Sequence, residues 1–400
     1  MNYLQLTLWW AAFSPVADSL RAGGGGTHSG RSWLGRAFQP EELEVLAFEA
    51  SESGDDDLQL FRSDAPPPQG SARPEDVDAW LHQSHKGQSL ERSMYLPALY
   101  SLQKGLEARR ATTRIVDRHN NGEMVDGVRE AVAQGRRPLV VTVGIFWANE
   151  EILQAIRACK EAGALLVLYS TEPAASHKVT EMAKKLGVHE VWEYAWSNIA
   201  RYSSSFKSQV PVRYIPPGFV KQLEVGVDLY SRDRQEKQVA FMGRMGLRPP
   251  KIREMYASVL GGQLNETYQV WSKESLRNYL NKYPLQVNLH KRDTCCPHDP
   301  SEPVAMEAFR MASLLTNKAC VVSTPIPESD RRLWEGIVNF AEANETLVTL
   351  KELRKDVRGC QVQSALLYRK RFDPKRLLRR SGFLDVWQPA NVTQQGQAHS

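Results

Sequence analysis

From residue 138 onward, short apolar runs alternate with longer amphipathic segments. Unbroken apolar runs of four to eight residues are typical of strands buried on both faces of a parallel sheet, and apolar residues at three- and four-residue spacing are typical of helices. The first set has predicted strands at 138–144, 164–170, 189–194 and 212–216, and predicted helices at 149–163 and 176–187. This alternation predicts parallel βαβ units with right-handed crossovers.

A Pro-Pro-Gly break at 216–218 separates this set from a second one of the same kind. The second set has predicted strands at 238–242, 267–271, 285–290, 318–324 and 336–341, and predicted helices at 249–260, 272–283, 302–317 and 345–370. The predicted fold class is therefore α/β, with two Rossmann-like domains facing each other across a cleft and a hinge between Pro216 and Gln238. We expect the long C-terminal helix to pack back toward the N-terminal domain.

The segment that precedes both sets has a different composition. Residues 20–75 contain four successive glycines, an acidic run and three successive prolines. Such a composition does not bury enough apolar surface to offset the entropy of ordering, so we expect a disordered N-terminal extension. Helical spacing begins near Pro74 and resumes at 95–115.

The first residues bear on localisation. Residues 3–13 form an apolar run that is short for a membrane span and has no basic segment before it. A cleaved signal or a weak anchor is one interpretation. The expected location is the secretory pathway or the Golgi if the segment is a signal, and the cytoplasm otherwise.

Charge narrows the class of partners. The formal net charge is +5 over 400 residues, which is too small to favour nucleic acid. The charge is unevenly placed, because residues 367–380 carry seven basic residues against the single acid Asp373. This segment is either a solvated helix face or a basic patch that makes peripheral contact with a membrane.

The cysteines do not predict a structural framework. Five cysteines are too few and too scattered for a disulfide framework in a chain of this length. The segment 294–299, TCCPHD, puts two thiols near His298, but no second cysteine or histidine pair stands at a spacing that would complete a zinc site. We interpret this segment as a flexible loop and expect no metal there.

The stretch QVAFMGRMGLRPPK, residues 238–251, joins a predicted strand to a predicted helix through two glycines. A strand, a glycine turn and a helix start form a typical anion site, because free N–H groups and the helix dipole point at the turn. Arginine and lysine side chains beside it would add charge-assisted hydrogen bonds to phosphate oxygens. The alternative is an ordinary strand-to-helix turn with solvated cations.

Eight ordered segments carry a family resemblance. They are LYSTEP, HEVWEYAWSNI, VRYIPPGF, QVAFMGRMGLRPPK, VNLHK, EPVAMEAFRMASLLTN, KACVVST and IVNFAEANETLV. Together they resemble the GT-B-type glycosyltransferases, most closely the family-1-like group, over about residues 138–370. The resemblance implies that a sugar passes from a nucleotide-activated donor on the C-terminal domain to an acceptor on the N-terminal domain. The acceptor class, a glycan, a protein or a lipid, stays open.

With the resemblance, the expected domain organisation is complete. The boundaries are 1–22 for the signal or weak anchor, 23–85 for the disordered linker, 86–225 for the N-terminal acceptor-side domain, 226–345 for the C-terminal nucleotide-sugar-binding domain, 346–385 for a basic helix and 386–400 for a tail.

For the donor phosphates, the resemblance implies roles for residues of the glycine turn. Gly243 would come into close backbone contact with the donor diphosphate, and Arg244 or Arg248 would supply the counter-charge. His290, Ser323 and Thr324 lie at predicted strand ends on the same edge. Fixed cations there would stabilise the charge that builds on the leaving diphosphate.

For the donor sugar and ribose, the resemblance implies a role for Glu307, which would accept hydrogen bonds from the ribose hydroxyls. A second glutamate is common seven residues earlier, where this chain has Pro300, and Glu302 is a shifted candidate. Arg310 lies one helical turn after Glu307, and its alternative role is an ion pair within the helix.

On the acceptor side, transfer to a hydroxyl benefits from a general base. Glu172, at the end of the strand in YSTEP, is the first candidate and His177 the second. Trp147 and Trp196 lie near strand ends, where they would either stack on a sugar or belong to the core. No DxD-type acidic pair appears in either α/β set, so we expect no metal and no cofactor besides the nucleotide-sugar co-substrate.

Two other functions remain open at the sequence level. The first is a GT-B-like domain that has lost catalysis and serves as a binding or scaffold protein, which the missing second glutamate and the short first set, with only about four predicted strands, favour. The second is another phosphate-ligand enzyme on a doubly wound fold, such as a nucleotide-sugar epimerase. The absence of a GxGxxG fingerprint near the start of the first set argues against it.

Overall fold

The computed structural model describes residues 76–90, 93–172, 176–248, 250–260, 264–267, 270, 272–290, 304–342 and 344–383. All of them belong to one unit, Leu58–Ser400. The predicted signal, the predicted linker up to residue 75, the TCCPHD segment and the C-terminal tail lie outside the described residues. No helix in the described ranges has the length and apolar character needed to cross a membrane.

The first sheet contains six parallel strands in the order β2-β1-β3-β4-β5-β6. These are β1 Val77–Gln83, β2 Thr112–Asp117, β3 Arg137–Val143, β4 Leu165–Tyr169, β5 Glu190–Glu193 and β6 Val212–Tyr214. The accompanying helices are α1 Leu96–Glu107, α2 Asn121–Ala133, α3 Glu150–Glu161, α4 Ser176–Leu186, α5 Trp196–Ile199 and α6 Ser204–Lys207. Three- and four-residue spacing puts Ile152, Ile156 and Cys159 on one face of α3, where they are fully buried in the core.

The second sheet contains five parallel strands in the order β11-β10-β9-β7-β8. These are β7 Val239–Met242, β8 Leu264–Thr267, β9 Leu285–Asn288, β10 Cys320–Ser323 and β11 Asn339–Phe340. The accompanying helices are α7 Pro250–Leu260, α8 Lys273–Lys282, α9 Ala308–Thr316 and α10 Glu328–Trp334. The chain passes from the first sheet to the second between Tyr214 and Val239, and this stretch contains the segment predicted as the hinge. Two separate parallel sheets confirm the predicted fold class.

The predicted disordered linker, residues 23–85, is wrong for Val77–Gln83, which form strand β1. Strand β1 lies between β2 and β3, near the middle of the first sheet, and all seven of its residues are buried. Its polar residues hid it from the pattern, because Asp78 and His82 break the apolar run. Both are accommodated: Asp78 forms ion pairs with two arginines, at 2.7 and 2.8 Å, and His82 lies 2.9 Å from the Asn121 side chain.

The predicted long helix at 345–370 is three helices, which are α11 Thr346–Leu353, α12 Val357–Arg371 and α13 Pro374–Arg380. An aspartate caps the N-terminus of each of the last two helices. Asp356 accepts from the Gly359 amide at 2.8 Å, and Asp373 accepts from the Arg376 amide at 2.8 Å. Aspartate at an N-cap ends one helix and begins the next, because its carboxylate satisfies amides that a continuous helix would bond internally.

These C-terminal helices pack against the first domain, as predicted. The Phe219 amide donates to the Phe372 carbonyl at 2.8 Å, and the Arg213 guanidinium donates to the Ser381 carbonyl at 2.8 Å. The Phe383 ring meets the edge of the buried Trp192 ring at 4.8 Å. The C-terminal segment is therefore part of the core of the first domain.

Two arginines of the basic segment 367–380 contact other parts of the protein. Arg371 donates to the Leu333 and Glu335 carbonyls, and the Arg369 guanidinium lies 5.4 Å from the Phe219 ring. Contact between this run and a membrane stays a prediction.

Two of the five cysteines pair. Cys320 at the start of β10 and Cys360 in α12 form a disulfide with their Cα atoms 5.5 Å apart. Cys159 is a buried free thiol, and burial raises its pKa to about 12. The bond ties the C-terminal helices to the second sheet across 40 residues of chain.

The two domains meet through an aromatic contact. The Phe309 ring, in the first turn of α9, lies 5.7 Å from Tyr95, 6.2 Å from Tyr169 and 5.4 Å from Tyr194. Tyr169 ends β4 and Tyr194 directly follows β5, so this contact forms at the carboxyl edge of the first sheet.

Candidate functional site

Charged side chains of the second domain gather at the carboxyl ends of β7, β9 and β10. We call this group the donor cluster and define it by Arg248, His290, Glu307, Arg310 and Asn288. Parallel strands end at the same edge of a sheet, which brings residues far apart in sequence together. Asn288 ends β9, His290 follows it, and Glu307 directly precedes α9.

Glu307 is at the centre of the donor cluster. Its carboxylate lies 2.7 Å from His290 Nδ1, accepts from Asn288 Nδ2 at 3.0 Å and lies 3.7 Å from Arg310 Nη1. Glu307 occupies the N-cap position of α9, yet its side chain does not cap the helix. Burial would raise its pKa, but the charges of His290, Arg310 and Arg248 outweigh burial and hold the pKa well below the usual range. Glu307 is therefore an anion at neutral pH.

His290 links Glu307 to the neighbouring strand. Its Nε2 lies 3.1 Å from the Thr324 carbonyl oxygen, while Nδ1 faces the Glu307 carboxylate. Neither oxygen carries a hydrogen, so both contacts are hydrogen bonds only when the ring is protonated on both nitrogens. Ser323 accepts from the Asn288 side chain at 3.0 Å and donates to the Thr324 carbonyl at 3.0 Å. His290, Ser323 and Thr324, predicted at this edge, thus share one hydrogen-bond network.

Arg248 is the inward-pointing arginine of the glycine turn. Only 4% of its surface is exposed, and its guanidinium lies 4.7 Å above the Phe241 ring. It donates to the Leu289 carbonyl at 2.9 Å and to the Arg244 carbonyl at 3.3 Å, but its Nη2 is buried with no hydrogen-bond partner among the described residues. Burial, and then the charge of Arg310, lower the pKa of Arg248 to about 10. It remains a cation at neutral pH.

Arg310 completes the charge of the donor cluster. It donates from Nη1 to the Asn288 side chain at 2.6 Å, and its guanidinium lies 5.3 Å from the Phe241 ring. Burial lowers its pKa. The buried guanidinium of Arg248 and the partly buried guanidinium of Arg310 therefore lie beside the single carboxylate of this cluster, Glu307. An excess of positive charge with an unused N–H on Arg248 favours an anionic ligand.

The space beside Gly243 is filled by the Phe241 ring of the strand that precedes it. A Cβ atom there would lie 2.6 Å from the Phe241 ring, and the φ angle of Gly243 is not positive. Its amide donates to the Thr267 carbonyl at 2.7 Å. The missing side chain therefore makes room for Phe241, on which Arg248 and Arg310 stack. Arg244, by contrast, is exposed.

A second group of side chains lies at the carboxyl edge of the first sheet, where β1, β3 and β4 are neighbours. We call it the aromatic edge and define it by His85, Tyr95, Trp147, Thr171 and Glu172. Glu172 follows β4 and is half-buried. Its negative charge contributes to raising the pKa of Tyr95, for which burial is the larger cause. Among the predicted residues, Glu172 and Trp147 lie in this group.

The remaining predicted residues lie elsewhere. His177 is 76% exposed at the start of α4, where its ring lies 3.7 Å from Glu181 one turn later. The Trp196 amide donates to Asp330 of the second domain at 2.7 Å, so Trp196 belongs to an interdomain contact. Glu302 lies outside the described residues.

Asn288, Tyr95, Thr171 and His85 were missed from the sequence. Asn288 is the asparagine of VNLHK, two positions before the predicted strand end, and its position could have identified it. Thr171 directly follows a predicted strand, whereas His85 follows β1, which the sequence pattern did not reveal. No sequence pattern identifies Tyr95, because only tertiary packing brings it next to the turn at Gly144. A Cβ atom on Gly144 would lie 2.5 Å from the Tyr95 ring.

No group of three or more histidine, cysteine, aspartate or glutamate side chains that could hold a metal ion occurs within the described part of the chain. No protein-family model and no curated protein matches the sequence.

Solved structures resemble the chain at low identity. A DNA-modifying β-glucosyltransferase, solved with and without uridine diphosphoglucose, shares 12% identity at a TM-score of 0.46, covering 77% of this chain and 99% of its own. The T4 phage β-glucosyltransferase in complex with UDP-glucose shares 11% at a TM-score of 0.43, covering 77% and 99%. The sucrose-phosphate synthase of Thermosynechococcus elongatus shares 11% at a TM-score of 0.44, covering 77% and 98%.

These likenesses are too low to bear on what this chain binds or does. The fold rests on the two sheets themselves. Two successive parallel α/β domains, with C-terminal helices that return to the first, have the GT-B-like arrangement that the sequence predicts.

Proposed function

We propose that the chain is a glycosyltransferase that moves a sugar from a nucleotide-sugar donor to a glycan, protein or lipid acceptor. The observation that carries the proposal is the donor cluster. It places a buried guanidinium with an unused N–H (Arg248), a partly buried guanidinium (Arg310) and one carboxylate (Glu307) at the carboxyl edge of a parallel sheet. Nucleotides bind at this edge in open α/β folds.

The cluster offers partners for both the phosphates and the ribose of a nucleoside diphosphate. Arg248 and Arg310 would bind the phosphate oxygens, because guanidinium groups form charge-assisted hydrogen bonds with them. Glu307 would accept hydrogen bonds from the ribose hydroxyls. Its Oε2 accepts from both His290 and Asn288, and its Oε1 lies 3.7 Å from Arg310 Nη1.

Transfer then depends on charge stabilisation. Cleavage of the sugar–diphosphate bond leaves negative charge on the departing phosphate, and buried cations that are already fixed stabilise that charge at no cost of reorganisation. Phe241 contributes indirectly, since both guanidinium groups lie over its ring, at 4.7 and 5.3 Å.

We assign the base that receives the acceptor proton to Glu172. It lies at the carboxyl edge of the first sheet, in the same group as the two buried hydroxyls of Tyr95 and Thr171 described below. His85 is less suited, because its Nδ1 already accepts from the Gly87 amide at 2.9 Å. His177 is exposed and lies outside the aromatic edge.

Nucleotide protection tests the proposal. A ligand that binds only the native state raises the unfolding temperature by mass action. We expect UDP, GDP or one of their sugars to raise it, and the corresponding nucleotide-sugar to release free nucleotide in the presence of an acceptor. If none of a panel of UDP-, GDP-, ADP- and CMP-linked sugars shifts the unfolding temperature at millimolar concentration, the proposal fails.

A second candidate function has one observation in its favour. Phe309 packs against three tyrosines at the carboxyl edge of the first sheet, so side chains occupy part of the region between the domains. This favours a catalytically inactive binding or scaffold protein. Nucleotide protection without any nucleotide release would identify this second function.

A further inference from the structure

The aromatic edge contains a large aromatic ring, Trp147, that is not buried in the core. Trp147 is 48% exposed, and its ring stacks on His85 at 5.4 Å with an angle of 26° between the planes. The backbone around it is fixed, because its amide donates to the Gly144 carbonyl and its carbonyl accepts from the Lys86 amide, both at 3.1 Å. An exposed indole held in one place offers a flat apolar surface to a ligand.

Buried hydroxyl groups without partners lie beside this ring. Tyr95 is 2% exposed and Thr171 is 7% exposed, yet neither hydroxyl makes a hydrogen bond of normal geometry with any described residue. The Tyr95 hydroxyl lies close to the side chains of Thr171 and Trp147: burial, the largest cause, raises the pKa of Tyr95, and weak hydrogen bonding to these two side chains lowers it. Buried polar groups are nearly always satisfied in native proteins, so unused ones in one place indicate a ligand.

The polar groups differ in what they offer. The hydroxyls of Tyr95 and Thr171 both donate and accept, and the indole of Trp147 only donates. His85 Nδ1 accepts from the Gly87 amide, which puts the proton of the neutral ring on Nε2 and makes it a donor. Glu172 provides a carboxylate at the same edge.

We propose that the aromatic edge binds a pyranose ring, so that the acceptor is a glycan. This proposal rests on the function proposed above and specifies its acceptor. One face of the sugar packs on the Trp147 ring, its hydroxyls exchange hydrogen bonds with Tyr95 and Thr171, and the reacting hydroxyl faces Glu172.

The chemistry of the site favours a sugar over the other acceptors. A pyranose has an apolar C–H face and several hydroxyls that donate and accept at once, which matches a flat indole beside two hydroxyls. A lipid chain would leave the buried hydroxyls unsatisfied, at a cost for each. A phosphate headgroup would meet the negative charge of Glu172.

Phe309 connects this site to the donor cluster. Its ring meets the edge of the Tyr95 ring at 5.7 Å, and it follows Glu307 by two positions. A sugar bound at Tyr95 would therefore lie on the side of the first domain that contacts α9, the helix that directly follows Glu307.

Saturation-transfer NMR with methyl glycosides tests the proposal. The probes are the methyl β-glycosides of glucose, galactose, xylose and N-acetylglucosamine, each measured with and without saturating UDP. We expect at least one to receive saturation from the wild-type protein. Trp147→Ala and Thr171→Val, which removes one hydroxyl without changing shape, should each abolish the signal. Tyr230→Ala is the matched control, because Tyr230 is another exposed aromatic, at 67%.

The outcomes separate the two proposals. If no glycoside binds, or if binding survives both Trp147→Ala and Thr171→Val, the acceptor proposal is overturned even where UDP protects the protein. Glycoside binding that depends on Trp147 and Thr171 supports it. If such binding occurs while no nucleotide protects the protein, the carbohydrate site stands and the transferase function fails.

Discussion

At the scale of single residues, this protein buries charges that its fold must either pair or neutralise. In the donor cluster, Glu307 and Arg310 are paired, since the Glu307 carboxylate lies 2.7 Å from His290 and 3.7 Å from Arg310. Glu193, at the end of β5, shows the other solution. It is fully buried, accepts from the Tyr202 hydroxyl at 2.5 Å and from the Asn198 amide at 3.1 Å, and has no cation beside it in the described structure. Burial raises its pKa from 4.5 to about 7.

We predict that Glu193 makes the protein less stable as pH rises from 4.5 to 7. In that window the folded state holds a proton that the unfolded state has released, so stability is lost as pH rises through the folded pKa. Glu193→Gln should therefore gain stability relative to the wild type between pH 5 and pH 8, measured by urea unfolding.

The control for this comparison is Glu123→Gln, at an exposed helical position. His82, whose pKa burial lowers to about 4, acts with the opposite sign but is present in both proteins and cancels. An equal stability difference between Glu193→Gln and wild type at pH 5 and pH 8 would show that Glu193 is ionised throughout.

At the scale of elements, the Cys320–Cys360 disulfide is the main covalent constraint among the described residues. It joins β10 to α12, and Tyr368 of α12 and Phe372, which directly follows α12, lie in the core beside Trp334. A cross-link acts mainly by restricting the unfolded chain, and a closed segment of this length is worth up to about 4 kcal/mol.

We predict that Cys360→Ala lowers the free energy of unfolding by up to about 4 kcal/mol. Reducing agent should lower the wild type to the same level and leave Cys360→Ala unchanged. Urea unfolding with and without reductant measures this, with the buried free thiol variant Cys159→Ala as the control. A wild type that is insensitive to reductant would mean that the bond does not stabilise the fold.

The elements were predictable from sequence where apolar runs were continuous. Strands β4, β7, β9 and β10 lie within the predicted ranges and β3 begins one residue before its range, because unbroken apolar runs have few other structures open to them. Strand β1 was missed because its polar residues are satisfied by arginines and an asparagine far along the chain, which no local pattern reveals.

The site was predictable to the same extent. Residues that follow strands, such as His290 and Glu172, were found because strand ends meet at one edge. Which arginine of the glycine turn points inward was not predictable, since it depends on Phe241 occupying the space beside Gly243.

At the scale of the whole molecule, a buried carboxylate joins the two domains. Asp330, in α10 of the second domain, accepts from the amides of Trp196 and Ser197 at 2.7 and 3.2 Å, and from the Ser197 hydroxyl. These amides begin α5 of the first domain, so Asp330 acts as a helix cap supplied by the other domain.

We predict that Asp330→Ala costs about 1–3 kcal/mol of stability, because it leaves buried amides without an acceptor. Hydrogen exchange at the Trp196 and Ser197 amides should become faster. Glu328→Ala, an exposed position at the start of the same helix, is the control. Unchanged exchange at both amides in Asp330→Ala would show that this contact does not hold the domains together.

The central claim is that the donor cluster binds a nucleoside diphosphate through Arg248, and calorimetry tests it most directly. The nucleotide that protects best is titrated into the wild type, into Arg248→Met and into Arg129→Met, an exposed arginine that pairs with Asp126 on α2. Losing hydrogen bonds between a cation and phosphate costs about 1.5–3 kcal/mol, which corresponds to about 10- to 150-fold weaker binding. We expect that loss for folded Arg248→Met and wild-type affinity for Arg129→Met. Equal affinity for all three proteins would contradict the account.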